Sequence, residues 1–144
     1  MIARKVWGIV LVALFVTVTS YAGEIVQETA VKYYNEGVRA QKSGDLDAAK
    51  TAYQKAIILA ERTRKDITKA IYNNFGVLYV NMENWELAAQ AFNEALTLDP
   101  DYKEANFNIG ILYAKMGNAE KALMYWAKAL NKTSSYVLEG EKSE

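Results

Sequence analysis

The stretch IYNNFGVLYVNMENWELAAQAFNEALTLDP, residues 71–100, decides the fold. Gly76 opens a block with Tyr79 three residues on. Sixteen residues after the glycine stands Phe92, with Ala88 four before it and Ala95 three after it. The same block occurs upstream as Gly37, Ala49, Tyr53 and Ala56, and downstream as Gly110, Tyr113, Ala122, Trp126 and Ala129. One copy would be weak evidence. Three copies, the last two 34 residues apart, define a repeated unit of two helices, and such units stack into a solenoid.

Each position has a mechanical reason. A glycine inside a helix costs about 1 kcal/mol relative to alanine, so the repeated glycine needs compensation. Its missing side chain lets the second helix of the pair approach closely. Ala49, Tyr53 and Ala56 share one face of that helix, because spacings of three and four residues do so. The small residues leave room for the aromatic knob. Turn formers separate the helices: Ser43-Gly44-Asp45, Glu83-Asn84 and Gly117-Asn118. Leu98-Asp99-Pro100 stops the second copy, and the next helix is expected to begin near Tyr102.

These residues resemble the tetratricopeptide repeat family over roughly residues 30 to 136. The second copy matches best, with Tyr72, Gly76, Tyr79, Ala88, Phe92, Ala95 and Pro100 in family positions. The first departs at Ala40 and Glu61, the third at Asn106 and Ser134. The first two glycines are 39 residues apart, so the second helix of the first pair is expected to run about a turn longer. The fold class implied is all-α, a solenoid of three antiparallel helix pairs. The repeats fall at about 30–63, 69–102 and 103–136 within a domain of 23–136, followed by a polar tail, 137–144.

Composition agrees. The chain has 144 residues, 51% of them hydrophobic, with one proline, and no stretch alternates with the period of two that a half-buried strand requires. Residues 1–22 read differently. Arg4 and Lys5 precede an uncharged run from Val6 to Val18, and Ser20-Tyr21-Ala22 places small residues before Gly23. That pattern describes a cleaved secretory signal, which makes the protein exported, periplasmic or secreted. The alternative is an uncleaved inner-membrane anchor facing the periplasm, and only then is the membrane a partner. The seventeen residues from Val6 to Ala22 are at the short limit for a span.

Chemistry is poorly provided for. With no histidine and no cysteine, the commonest metal ligands, the usual general base and any disulfide are missing. Asp45/Asp47 and Asp99/Asp101 read as helix-start residues. No glycine-rich phosphate loop is present. Removing residues 1–22 takes two of 17 basic residues, leaving 15 against 17 acidic and a net charge of −2. That balance gives no footprint for nucleic acid. The reading is therefore of no enzyme, no metal and no cofactor.

What remains is a surface. Two residues before each repeat glycine stands an asparagine: Asn35, Asn74 and Asn108. In a stacked solenoid these align, and amides suit the backbone of an extended peptide. Helical spacing adds Val38, Val77 and Ile111 as an apolar floor, with Asn73, Asn81, Lys42 and Lys115 beside it. The same asparagines can instead bridge neighbouring helices. In relatives that clamp a terminal carboxylate, the corresponding places here hold Tyr34, Val38, Asn74, Glu104 and Asn108, and only Asn74 fits. Most aromatic residues fall at core spacing, with Tyr34 and Phe107 turned to the groove margin. The last helix, lacking a cap, is expected to expose Leu123, Ala127 and Leu130 and could form a homodimer. Tyr136-Val137-Leu138 could instead fold back on it. The expected function is a scaffold binding a protein or peptide partner; the alternative is a self-associating or docking component of an envelope assembly.

Overall fold

The computed structural model describes residues 2–61 and 65–130, with side chains from Leu11 onward except at position 65. Those residues form six helices: α1 (Ile2–Ser43), α2 (Leu46–Ala60), α3 (Lys65–Asn81), α4 (Trp85–Leu98), α5 (Lys103–Lys115) and α6 (Ala119–Ala129). The chain is all-α, and the helices pack as the pairs α1/α2, α3/α4 and α5/α6, each stacked on the next. The C-terminal tail, with the fold-back expected of Tyr136-Val137-Leu138, lies outside the described residues.

The pairing follows from the glycines. A Cβ built on Gly37 would stand 2.6 Å from the Tyr53 ring, one on Gly76 2.5 Å from Phe92, and one on Gly110 2.3 Å from Trp126. Each aromatic of a second helix thus lies directly on the bare backbone of the first. Tyr53 and Phe92 are fully buried, joined by Ile71, Leu78 and Leu112. Burial of each such side chain is worth about 1.5–3 kcal/mol, which outweighs the glycine's cost in the helix. Rings connect the first two pairs: Tyr34 to Tyr53 at 6.3 Å, Tyr53 to Phe75 at 6.1 Å, Phe75 to Tyr79 at 4.6 Å.

Asp45, Asn84 and Asn118 cap α2, α4 and α6, accepting from the backbone N–H of Ala48 (3.0 Å), Leu87 (3.2 Å) and Lys121 (3.0 Å). These caps satisfy N–H groups that a helix start leaves without partners. Asp99 does not act this way. It ends α4, hydrogen-bonds Lys69 and accepts from the Asp101 N–H at 3.2 Å. The hydrogen bond from Lys69 holds its carboxyl below the usual range.

One expectation is revised. α2 stops at Ala60 and gains no turn; instead α3 starts eleven residues before its glycine, where α5 starts seven before its own. The added residues lengthen the first helix of the second pair, where Tyr72 donates its hydroxyl to Glu61 at the end of α2. The N-terminal region and the first repeat also form one unbroken helix, which passes through Gly23. Its described side chains from Leu11 to Ala22 are exposed, and Ala30 is its first buried residue. Among the residues whose side chains are described, no helix is long and apolar enough to cross a membrane, and the run expected from Val6 begins before them.

Candidate functional site: the face of the first helices

α1 touches α3 and α3 touches α5, whereas α2, α4 and α6 make no comparable contact with one another. The stack therefore curves, with α1, α3 and α5 inside. The repeat glycine sets this face, since turning it toward the partner helix turns the residues around it toward solvent.

The three equivalent asparagines do not behave alike. Asn74 on α3 donates to the Tyr34 hydroxyl on α1 at 3.0 Å. Asn108 on α5 donates to the Asn73 carbonyl on α3 at 2.9 Å, and Asn73 donates to the Asn74 carbonyl at 3.4 Å. The result is a polar strap of four side chains, Tyr34–Asn74–Asn73–Asn108, tying three helices together. Asn73 is only 6% exposed, so its amide needs these partners. Asn35 is exposed and stands outside the strap; besides its place in the helix ladder, its backbone carbonyl accepts from Arg39 Nε at 3.2 Å.

Beside the strap, Val38, Val77 and Ile111 are half-buried on successive helices and form an apolar row. Lys42, Asn81 and Lys115 are exposed at the ends of the same helices, as is Glu104 near the start of α5. Phe107 is 51% exposed, and Trp126 Nε1 donates to its backbone carbonyl at 3.2 Å. Tyr34, expected at the groove margin, is drawn into the strap by Asn74. Its signal is the register it shares with Asn73 and Phe107, three residues before each repeat glycine.

The electrostatics are mild. Burial, with the nearby Tyr34, pushes the Tyr53 hydroxyl up to about 12, and that hydroxyl donates to Gln41 Oε1 at 2.8 Å. Burial, then the Glu104 carboxylate, does the same for Tyr102, up to about 12. Lys69 hydrogen-bonds Asp99 and lies over the Tyr102 ring at 4.8 Å, a clasp between α3 and the α4–α5 link.

At the far end of the stack, Leu123 is 62% and Leu130 64% exposed, with Ala127 half-buried. The residues equivalent to Leu130 in the earlier pairs, Ile57 and Leu96, are half-buried against the core.

Comparison with known proteins agrees with this geometry. Two profiles described as tetratricopeptide repeat match residues 28–101 and 73–136. A crystal structure of MamA is similar, with TM-score 0.63 and 26% identity over 78% of this chain; the match spans 62% of the MamA chain. The second repeat domain of Spaghetti (RPAP3), bound to the HSP90 peptide SRMEEVD, matches with TM-score 0.67 and 18% identity, covering 79% of this chain and 95% of that one. The first such domain of the same protein, with the same peptide, gives TM-score 0.65 and 18% identity over 76% of this chain and 82% of that one. No curated protein sequence matches.

Proposed function

The chain belongs to the tetratricopeptide repeat family, and from that premise we propose that it is a non-enzymatic scaffold whose inner face holds an extended segment of a partner protein. The observation that carries this reading is the half-buried row Val38–Val77–Ile111 on three adjacent helices, flanked by amides. An extended segment laid across α1, α3 and α5 would bury apolar side chains on that row. Its backbone would meet Asn35, Asn81 and the spare capacity of Asn74 and Asn108. The Spaghetti domains hold their peptide on the same fold, which supports the manner of binding and not the ligand. Glu104 disfavours an acidic chain end at α5.

The test is site-specific photocrosslinking in cell envelopes, with the reactive residue at Asn81 on the inner face or at Gln90 on the outer one. The expected result is a defined adduct with another protein from Asn81 only. Equal adducts from both positions, or from neither, would reject the groove.

A second reading rests on the apolar end of α6. Leu123 and Leu130 are exposed, whereas Ile57 and Leu96, the equivalents of Leu130, pack against the core, so a second copy or an envelope component could cover this end. Leu130→Glu should then dissociate the assembly in sedimentation without touching the groove.

Export is part of the same proposal. Residues 11–22 contribute no buried side chain, so cleavage after Ala22 would leave the core intact. Intact mass of the protein from cell extracts should begin at Gly23; retention of Arg4 and Lys5 would favour the anchor.

A further inference from the structure

The two ends of the stack are built differently. The stripe by which α3 receives the pair before it is Ile71, Phe75 and Leu78, and the Phe75 ring meets Tyr53 at 6.1 Å. All three are buried, as are their equivalents in α5, Ala105, Ile109 and Leu112. α1 is the first helix of the stack, and there the same positions hold Lys32, Glu36 and Arg39. Lys32 and Arg39 are exposed and Glu36 is half-buried. Charges close this end, because covering them with another pair would strip them of water without giving them partners.

The opposite end is open. Pair two meets pair three through Asn73, which accepts from Asn108 at 2.9 Å. Met82 and Ala89 border, with Leu112 and Tyr113, the cleft where the two pairs join. The equivalents of Asn73, Met82 and Ala89 in pair three are Phe107, Met116 and Leu123. All three are more than half exposed, and so is Leu130 beside them. Each leaves on the order of 100 Å² uncovered, and together they make a patch of the size that marks an interaction surface. The exchange at Phe107 is the most informative. Where Asn73 offers an amide oxygen to the next pair's asparagine, this end offers a phenyl ring. A further pair of the same design would leave its asparagine without that acceptor.

Building on the reading of α6 as an open end, we propose that this face docks on the same face of a second copy about a two-fold axis, giving a closed dimer. Three observations select that occupant. The matching face is apolar at all four positions, so the contact buries no unpaired charge or amide. The chain's other end is excluded, since Lys32 and Arg39 would be desolvated there; copies do not add head to tail, and association stops at two. With 17 basic and 17 acidic residues, two copies carry no net charge to hold them apart. Glu120, like its equivalent Glu86, is exposed at the edge of the patch and stays in water.

The experiment uses the full chain in the cells that express it, and then the purified full chain. The protein has no cysteine, so a single introduced thiol is its only one. Leu123→Cys treated with a short bis-maleimide should give a covalent dimer in both settings. Lys32→Cys should give none, and the two variants expressed together should give no adduct between positions 123 and 32. Adding Leu130→Glu to Leu123→Cys should cut the dimer roughly tenfold, with the helical circular dichroism unchanged because Leu130 is exposed. An adduct between positions 123 and 32 would overturn the two-fold dimer in favour of head-to-tail stacking. An adduct of position 123 with a different protein would overturn it while leaving the end a docking surface. No adduct, with the thiol shielded from reagent, would mean that the chain's own tail covers the face; no adduct with the thiol reactive would mean that nothing does. Those last two outcomes remove the reading of α6 as a docking end as well, and none of them bears on the groove, which is read from Asn81.

Discussion

Gly76 and Phe92 show how one missing side chain organises a pair of helices. Gly76→Ala adds a methyl that would meet the Phe92 ring at 2.5 Å, and Phe92 is fully buried and cannot move aside. Overpacking of this kind costs about 1–3 kcal/mol, partly offset by the better helix propensity of alanine. We expect a net loss of about 1 kcal/mol or more in denaturant unfolding; an unchanged midpoint would mean the pair can open at no cost. The asparagines separate in the same way. Asn73→Ala strips Asn108 of its acceptor in a buried strap and should cost about 1–3 kcal/mol. Asn35→Ala touches an exposed side chain and should stay within about 0.5 kcal/mol, while weakening capture of the groove ligand. If Asn73→Ala were as silent as Asn35→Ala, the strap would be incidental.

At the scale of elements, the second helices depend on their caps and the first on their straps. Asn84 accepts from Leu87 N–H, and Asn84→Ala should cost about 1 kcal/mol, read as the same midpoint shift by circular dichroism and by tyrosine fluorescence. α6 differs from α2 and α4. Its cap is equivalent, but Leu130 is exposed where its equivalents Ile57 and Leu96 are half-buried against the core. Charge at Leu130 should therefore be tolerated by the fold, whereas Leu96→Glu, against the core, should cost several kcal/mol (about 3). Comparable losses at both sites would show that α6 is covered within the folded chain.

Across the whole molecule, titration has an unusual shape because the chain has no histidine. Stability should be flat between roughly pH 6 and 9, where no side chain of ordinary pKa changes charge. Above that, Tyr53 and Tyr102 keep their protons up to about 12 in the folded state, while unfolded tyrosine loses its proton near 10. The unfolded state then binds fewer protons than the folded one, so stability falls as pH rises from 10 to 12. Tyr53→Phe should flatten part of that decline, after allowance for the lost hydrogen bond to Gln41. On the acid side, Asp99 has a lowered pKa, so its contribution is present above the unfolded value and fades as pH drops through the folded one.

The sequence by itself determined the helices, their number and their pairing. Glycine, alanine and aromatic residues recur at fixed offsets, and each offset is a local packing rule that needs no distant information. It also placed Asn74, Asn108, Val38, Val77 and Ile111 on one face, because helical period alone decides that. Only the tertiary structure decided what those residues do there. Asn73 and Asn74 are neighbours in sequence with the same side chain, yet Asn73 is buried and receives α5, whereas Asn74 reaches α1. Such a difference arises from the angle at which one pair lies on the next, and no periodicity records an angle.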